Sequence, residues 1–227
     1  MNIAYRLART ALKALGKDVY LEDALVTTHN HDFVSDVAFQ SAYNRGLEAT
    51  HGRDYHFRWR VHVALWVGRT AAKLPGDFVE CGVNYGFVSS AMMHHLAWDT
   101  LGKTYYLLDR FDGFRTKDFY VDNSESVQAN FAKDWKNFKL IKGLIPETLS
   151  QIDSSKIAYL HLDLNVPEIE AEALKILWPR LVSRAMILMD DYAYAGSGAK
   201  PAYRKLLGKE MDDIVSLPTG QGLLIKP

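Results

Sequence analysis

Acidic residues follow two apolar segments in the second half of the chain, and their placement suits cation chemistry. Asp163 lies near the end of the apolar segment 157–164, and Asp190 and Asp191 directly follow segment 185–189. Three carboxylates at the ends of two strands are costly to hold together without a cation or a proton, and hard oxygen ligands favour Mg²⁺ or Ca²⁺ over zinc. The pattern therefore predicts a divalent-metal site, with the alternative that Asp190 or Asp191 caps a turn and Asp163 is solvated.

A second group of acids and glycines follows two earlier apolar segments. Glu80, Gly82 and Gly86 lie at the end of the first segment and in the turn after it, and Asp109 follows the second. The turn lacks the Gly-x-Gly-x-x-Gly pattern of dinucleotide-binding loops, and an acid there suits a cationic or hydroxylated ligand better than a pyrophosphate. A carboxylate at Asp109 can accept hydrogen bonds from both hydroxyls of a ribose. Glu80 and Asp109 together indicate a nucleoside site, against the simpler interpretation of an ordinary βα turn and a turn acid.

The elements that must position these residues are short apolar segments that alternate with helical ones. This alternation predicts βαβ units and a mostly parallel sheet with helices on both faces. In such sheets, ligands bind beyond the carboxyl ends of the strands. The predicted strands are 77–81, 104–108, 138–141, 157–164 and 185–189, and the predicted helices are 86–101, 124–135, 147–152 and 168–177.

The two ends of the chain differ from this central pattern. Apolar spacing before Pro75 predicts helices, so residues 1–75 form a separate N-terminal helical segment and 76–227 form the ligand-binding domain. Near the C-terminus, segments 214–217 and 223–226 flank a tight turn and predict an antiparallel hairpin that closes the sheet. The expected fold is therefore α/β: N-terminal helices, a mostly parallel sheet and a terminal hairpin.

Composition excludes several classes of protein. The 227 residues carry 27 bases and 27 acids, so the chain has no overall basic charge for nucleic acid, and we expect no nucleic-acid partner. Hydrophobic residues make up 48%, enough for a sizeable core. The single cysteine, Cys81, precludes an intramolecular disulfide and suits a reducing, cytoplasmic location. No apolar segment reaches the roughly 18–20 residues that cross a bilayer, so we expect no transmembrane segment.

The first 17 residues carry four bases and no acid beside regularly spaced leucines, which predicts a basic amphipathic helix. Three interpretations stay open for it. The helix docks on the domain, it contacts another subunit or a membrane surface, or it serves as an organelle transit segment.

One stretch joins these observations. Residues 76–83, Gly-Asp-Phe-Val-Glu-Cys-Gly-Val, resemble the Gly-Asp-x-x-Glu-Cys-Gly-Val signature of the macrocin O-methyltransferase family. These are S-adenosylmethionine-dependent sugar O-methyltransferases of antibiotic biosynthesis. The resemblance extends over residues 76–227, with further matches in order at Asp109, 160–164, 190–192, 198–200 and 220–222.

The resemblance implies a class I methyltransferase fold with a seven-stranded sheet, S-adenosylmethionine as methyl donor, and a hydroxylated, sugar-like acceptor. It also implies Mg²⁺. We further expect a homo-oligomer. Asp163 would act both as metal ligand and as proton acceptor, and His161 is either a second base or a packed core residue. The resemblance places the methionine side of the cofactor at Glu80, Gly82 and Gly86, its ribose at Asp109, its adenine at Gly143 and Leu144, and the metal at Asp163, Asp190 and Asp191.

The sequence departs from the family pattern at two places. Asn165 stands where the family has the second acid of Asp-Leu-Asp-x-Tyr, and residues 84–87 replace its Trp-Arg-Gly-Gly loop. Both places lie near the cofactor or the acceptor. They motivate an alternative, a diverged, non-catalytic cofactor-binding module of the same fold. An oxidoreductase on a similar sheet is disfavoured because the dinucleotide-binding pattern is missing.

Overall fold

A computed structural model of the chain describes residues 7, 10–12, 14, 18–111 and 123–227, with residues 210 and 211 described by their backbone. Most of the predicted N-terminal basic helix therefore lies outside the described residues, as does the stretch 112–122 that follows the predicted ribose site. Within the described ranges, no helix is both long and apolar enough to cross a bilayer.

The centre of the molecule is a seven-stranded sheet. Its spatial order is β5-β4-β3-β6-β7-β9-β8; the first five strands are parallel, and β9 is antiparallel to both of its neighbours. A separate two-stranded hairpin, β1-β2, precedes it. The strands are β1 Tyr20–Glu22, β2 Leu25–Thr27, β3 Asp77–Cys81, β4 Tyr105–Asp109, β5 Phe138–Lys142, β6 Ile157–Leu162, β7 Leu181–Met189, β8 Val215–Ser216 and β9 Gly222–Ile225.

Helices cover both faces of this sheet, as predicted. Successive residues along each inner strand point to opposite faces, so Phe78 joins one core and Val79 the other. The first core is covered by α1 to α4 and the second by α5 and α6. The helices are α1 Val37–Ala49, α2 Arg58–Ala71, α3 Phe87–His95, α4 Ser124–Ala132, α5 Pro167–Leu177 and α6 Ala199–Leu207.

The predicted fold class is confirmed, and the differences are local. The predicted helix 86–101 ends at His95, because Ala97 takes a left-handed backbone conformation with φ +47°. The predicted helix 147–152 is a short 3-10 turn, Glu147–Gln151. The expectation of a purely helical N-terminal segment is wrong at residues 20–27, which form the β1-β2 hairpin.

The strand order fixes where a ligand can bind. The chain runs from β3 outward to β5 and then returns to place β6 on the other side of β3. The carboxyl ends of β3 and β6 therefore flank the crevice where connections leave in opposite directions, which is the ligand-binding position in open α/β sheets.

The N-terminal helices pack on the same core as the sheet. Phe33 lies before α1 and stacks on His62 of α2, with ring centroids 4.0 Å apart and an interplanar angle of 25°. Trp59 meets the same imidazole edge-on at 5.5 Å. Burial, reinforced by the charge of Arg69, lowers the pKa of His62. The neutral imidazole is therefore the form that this aromatic cluster holds.

We expect this histidine to make the fold acid-sensitive. Its pKa is lower in the folded state than the unfolded value of about 6.5. The stabilisation is thus complete above that value and is lost as pH falls toward the folded-state pKa. His62→Phe keeps the ring stacking but cannot titrate, so its thermal midpoint should fall less than that of the parent between pH 7 and 5. The exposed His29→Phe serves as control and should follow the parent; parallel curves for parent and His62→Phe would contradict the assignment.

Candidate active site

A cavity of about 440 Å³ opens at the carboxyl ends of β3, β6 and β7. It is lined by the β1-β2 turn, the end of α1, the segment that leads into α2 with the first turn of that helix, the strand ends of the sheet, and the first turn of α3. The lining residues include Asp23, Tyr55, Phe57, Arg60, Glu80, Gly82, Asn84, Asp163, Asn165, Asp190 and Asp191. The sequence predicted Glu80, Gly82 and the three C-terminal carboxylates as site residues, and the fold brings these five together.

Gly82 sets the distance between β3 and β6. Its φ is +96°, and a Cβ added there would lie 1.8 Å from the carbonyl oxygen of Asp163. The Asp163 amide donates to the carbonyl of Cys81 at 2.8 Å, and the Gly82 amide donates to the carbonyl of Leu108 at 2.8 Å. Because no side chain fits between the two strand ends, glycine is required at this point of the crevice.

Asp109 lies at the end of β4, beside the cavity. Its Oδ2 accepts a hydrogen bond from the Asn84 amide at 2.7 Å, and its Oδ1 accepts one from the Phe111 amide at 3.0 Å. The backbone carbonyl of Asp109 accepts a hydrogen bond from the Gly143 amide at 2.9 Å, so the predicted ribose residue and the predicted adenine residues are neighbours. Leu144, which follows Gly143, has 55% of its surface exposed. The two amides hold the Asp109 carboxylate in one orientation. Each of its oxygens keeps acceptor capacity for a hydroxyl.

Gly86 begins α3, with φ +78° at the N-cap position. A Cβ there would lie 2.5 Å from the ring of Phe131 on α4. The backbone amides of the first turn of α3, which have no partner within the helix, therefore lie beside the turn 82–86, as the sequence predicts for a ligand-binding βα turn.

A buried polar chain connects two sides of the cavity. Glu80 Oε2 accepts a hydrogen bond from the Tyr105 hydroxyl at 3.2 Å, and Glu80 Oε1 lies 3.1 Å from His161 Nδ1. His161 is 1% exposed; its Nε2 has no hydrogen-bond partner and lies 4.0 Å from Asp190 Oδ1. Burial opposes a charged imidazole, but the hydrogen bond and charge of Glu80, followed by Asp190 and Asp163, raise the pKa of His161 to about 9. His161 thus lies in the core as a proton-carrying link between two carboxylates.

Asp163 follows β6 and is held in a negatively charged environment. Burial, followed by the charge of Asp190, raises its pKa well above the ordinary aspartate value, against the opposing charge of His161; Asp191 adds a smaller effect in the same direction. Asn165 Nδ2 lies 3.5 Å from Asp163 Oδ1. The chain therefore favours a proton, or another positive charge, at this carboxylate.

The two acids that follow β7 are bound by an arginine that sequence analysis missed. Arg60 Nη1 donates to Asp190 Oδ2 at 2.6 Å, to the Asp190 carbonyl at 3.1 Å and to Asp191 Oδ1 at 3.3 Å. Arg60 Nε donates to Asp23 Oδ2 at 2.5 Å. No local pattern marks Arg60, because it lies on α2, 130 residues before Asp190.

Gln221 is a second partner that was missed. Its Nε2 donates to Asp190 Oδ1 at 3.0 Å, and its Oε1 accepts from the Thr219 hydroxyl at 2.9 Å. A signal for it existed, because the stretch 220–222 is part of the family resemblance and places a polar residue between two glycines. The resemblance gave residues 220–222 no role in binding or catalysis, so Gln221 was not predicted as a site residue.

The predicted metal ligands Asp163, Asp190 and Asp191 offer the oxygen donors that a divalent metal needs, but two of them are paired with Arg60. Carboxylate oxygens are the donors that Mg²⁺ prefers, and burial, followed by the charge of Asp190, raises the pKa of Asp163 beside them. Among the described residues, however, no group of three or more His, Cys, Asp or Glu side chains is arranged to hold a metal ion. The carboxylates of Asp190 and Asp191 face Arg60 instead.

This strand order, with an acid-lined crevice at the ends of the first strands, defines a class I methyltransferase fold. Residues 79–192 match the family model described as "Methyltransferase domain". The chain belongs to this family of methyltransferase domains.

The curated proteins include one relative of known reaction. The chain is 28% identical over 141 residues to the 8-demethyl-8-(2,3-dimethoxy-α-L-rhamnosyl)-tetracenomycin-C 4′-O-methyltransferase of Streptomyces olivaceus. The match covers 53% of this chain and 54% of the relative, so the chain spans about half the length of that protein. The family match and this relative confirm the predicted resemblance to sugar O-methyltransferases that use S-adenosylmethionine.

Solved structures share the fold. CalS11, described as a TDP-rhamnose 3′-O-methyltransferase, superposes with a TM-score of 0.60 at 17% identity, covering 87% of this chain and 95% of that one. The O-methyltransferase NovP gives 0.60 at 17% identity over 82% and 88%. The S-adenosylhomocysteine-bound methyltransferase PaMTH1 of Podospora anserina gives 0.57 at 15% identity over 100% and 96%. At these identities the likeness concerns the fold alone.

Proposed function

We propose that this chain transfers a methyl group from S-adenosylmethionine to a hydroxyl of a sugar-like acceptor. One observation carries the proposal: a single cavity brings Glu80 and Gly82, at the predicted cofactor edge, next to Asp163, Asp190 and Asp191. A methyl donor and a hydroxyl that react with each other need adjoining binding sites. The proposed cofactor residues and the proposed acceptor residues line the same cavity, which supports this arrangement.

The proposed cofactor site lies along the carboxyl ends of β3, β4 and β5. The methionine side lies at Glu80, Gly82 and Gly86, where a negative carboxylate and the amides of α3 suit an amino acid and a sulfonium. The ribose lies at Asp109, whose carboxylate is already oriented by two amides. The adenine lies beside Gly143 and Leu144, next to Asp109 along the sheet edge.

The acceptor part is assigned to the far side of the cavity. Carboxylates of Asp23 and Asp163 and the guanidinium of Arg60 can bond the hydroxyls of a polyol. Tyr55 and Phe57 add apolar surface of the kind on which a sugar ring packs. We therefore propose that residues 1–75 act as the acceptor lid, since several of these residues belong to that segment.

The transfer itself is a substitution at the methyl carbon. The acceptor oxygen attacks the methyl, the carbon–sulfur bond breaks and S-adenosylhomocysteine leaves, so the hydroxyl proton needs an acceptor. Asp163 is proposed for that role, because its carboxylate lies in the cavity and its raised pKa makes the ionised form a stronger base than an ordinary carboxylate. Mg²⁺ belongs to the proposal as well: Asp163, Asp190 and Asp191 would hold it, and when bound it would polarise the acceptor hydroxyl.

Calorimetry with S-adenosylhomocysteine tests the first half of this proposal. Micromolar binding to the intact chain is expected, and no detectable binding would refute the assignment of the cofactor. Isotope-labelled S-adenosylmethionine, incubated with a panel of nucleotide-linked and free deoxysugars, then tests transfer. Incorporation into at least one sugar is expected.

Asp163→Asn should separate binding from chemistry. Loss of the proton acceptor is expected to lower kcat by about 10²–10⁴-fold, while the Kd for S-adenosylhomocysteine changes less than about threefold, as steady-state kinetics and calorimetry would measure. The exposed Asp153→Asn is the matched control, because that carboxylate pairs with Lys139 away from the cavity. A fully active Asp163→Asn enzyme would remove this residue from the mechanism.

A diverged binding module is the second candidate. It is favoured by Asn165, which stands in place of a family acid with φ +57°, and by the arginine bound to Asp190 and Asp191. It predicts S-adenosylhomocysteine binding without transfer to any acceptor in the panel. The two candidates therefore differ in the second half of the experiment above.

Two broader parts of the proposal concern the whole protein. We propose that it works in the cytoplasm, since its single, buried cysteine has no intramolecular partner. We also propose a homo-oligomer, which sedimentation of the purified chain would test.

A further inference from the structure

A buried carboxylate on α5, that of Glu170, bonds the turn that carries Asp163. We propose that Glu170 is a positioning residue for the proposed transfer: it fixes this turn so that the Asp163 side chain keeps its place in the cavity. The inference rests on the proposed function, because it concerns the residue proposed there as proton acceptor. It assigns a role to an acid that is 1% exposed and is not among the residues that line the cavity.

Three successive backbone amides of this turn have partners. The Asp163 amide donates to the carbonyl of Cys81 at 2.8 Å. The next two amides, those of Leu164 and Asn165, both donate to Glu170 Oε1, at 2.8 and 3.1 Å. The backbone on either side of the Asp163 Cα is therefore bonded, to β3 on one side and to α5 on the other. What remains free at Asp163 is mainly its own side-chain torsions.

The turn needs such a partner because its backbone is not relaxed. Asn165 has a φ of +57°, in the left-handed region that asparagine tolerates better than most residues but that still costs free energy. The hydrogen bond from the Asn165 amide to Glu170 stabilises this conformation at the residue that adopts it. Asn165 and Asp163 both line the cavity, so the turn that Glu170 holds presents two polar side chains to a ligand.

The other oxygen of Glu170 extends the connection to α6. The Tyr203 hydroxyl donates to Glu170 Oε2 at 3.1 Å, and Tyr203 is 0% exposed. The ring of Tyr203 packs edge-on against that of Tyr192, with centroids 5.8 Å apart. Tyr192 directly follows the two acids of the turn after β7. Glu170 and Tyr203 therefore connect the turn after β6 with the turn after β7, which fixes Asp163 relative to those acids.

The three donors explain why a carboxylate is found at this depth. Burial raises the pKa of Glu170, and the hydrogen bonds from Leu164, Tyr203 and Asn165 oppose that rise. A buried polar group costs free energy unless hydrogen bonds compensate it, and an ionised carboxylate accepts at both oxygens. An apolar residue would fill the same space but would leave the two amides of the turn without these acceptors. The position of the acid therefore suits a role in holding the turn.

Glu170→Ala in the full chain tests the proposal. The amides of Leu164 and Asn165 lose their acceptor, so hydrogen–deuterium exchange over residues 163–166 should become at least about tenfold faster. Displacement of a reacting group by about 1 Å can cost about 10²-fold in rate, so kcat should fall about 10–100-fold, while the Kd for S-adenosylhomocysteine changes less than about threefold. Glu172→Ala, at an exposed position of the same helix, is the matched control and should leave all three quantities unchanged.

A conservative variant guards against a loss that comes from misfolding alone. In Glu170→Gln the amide oxygen still accepts from both backbone amides and the NH₂ group can donate to the Tyr203 oxygen, so kcat and exchange should stay within about threefold of the parent. Tyr203→Phe keeps the ring against Tyr192 and removes the far hydrogen bond, so it should lie between the parent and Glu170→Ala. A loss of kcat in Glu170→Gln as large as in Glu170→Ala would overturn the proposal.

The exchange measurement needs no methyl acceptor, so it separates this inference from the proposed function. Failure of the parent to bind S-adenosylhomocysteine would refute the proposed function, and faster exchange in Glu170→Ala would still support the holding of the turn. Transfer by Glu170→Ala at the parent rate, or unchanged exchange over residues 163–166, would refute the positioning role alone.

Discussion

Replacing Gly82 with alanine should lower the midpoint of thermal unfolding by about 10 °C and abolish S-adenosylhomocysteine binding. The added Cβ would lie 1.8 Å from the carbonyl oxygen of Asp163, a separation at which backbone must move. The positive φ of +96° adds strain of about 1–3 kcal/mol. Together these cost about 4 kcal/mol, and 1 kcal/mol corresponds to about 2–4 °C in a protein of this size.

A matched control isolates the close approach of the two strands from the backbone conformation. Gly196 has a similar φ of +91°, but a Cβ there meets nothing within 4 Å. Gly196→Ala should therefore lose only the conformational part, a few degrees, and should keep its affinity for S-adenosylhomocysteine. Differential scanning calorimetry and isothermal titration measure both quantities, and equal losses in the two variants would show that strand spacing is not what Gly82 provides.

Asp109→Ala is expected to weaken S-adenosylhomocysteine binding by about 100-fold or more. Two hydrogen bonds from ribose hydroxyls to a charged acceptor contribute about 1.5–3 kcal/mol each, and every 1.4 kcal/mol is about a factor of ten in Kd. The substitution also removes the two hydrogen bonds that the Asp109 carboxylate accepts from the backbone amides of Asn84 and Phe111.

Two further variants sharpen that experiment. Asp109→Asn keeps one carbonyl acceptor and should lose less than Asp109→Ala, about tenfold. Asp153→Ala removes an exposed acid from outside the site and should bind like the parent. A Kd for Asp109→Ala within about threefold of the parent would mean that the ribose lies elsewhere.

Much of the fold follows from local pattern because the inner strands are buried on both faces. The parallel strands β3, β4 and β6 are mostly apolar and are buried along nearly their whole length, which is how such strands differ from half-exposed ones. The β1-β2 hairpin could not be found in this way, since its strands have three residues each and show no usable period. The helix α6 was also missed; it follows Gly198 and mixes apolar with basic residues.

The site was predictable to the extent that it lies at strand ends. Asp163, Asp190 and Glu80 each follow or end a recognisable strand, so the topology brings them to one edge. Arg60 and Asp23 reach the same edge only through the packing of the N-terminal segment on the sheet. Sequence periodicity contains no information on that packing. The pairing of Arg60 with the carboxylates therefore could not be predicted from the sequence and is seen only in the folded structure.

The aromatic contacts between the N-terminal segment and α3 bear on how acceptor preference can change. Phe87 of α3 meets Tyr43, Tyr55 and Phe57, with ring centroids 5.0, 6.0 and 4.9 Å away. The proposed acceptor surface thus comes from a stretch of chain distinct from the strand ends that face the cofactor. If the proposed acceptor lid is correct, recombination that exchanges residues 18–75 between relatives is expected to alter what is methylated while sparing the proposed methyl-donor side. Such a transplant would succeed only where the incoming segment carries rings that fit around Phe87.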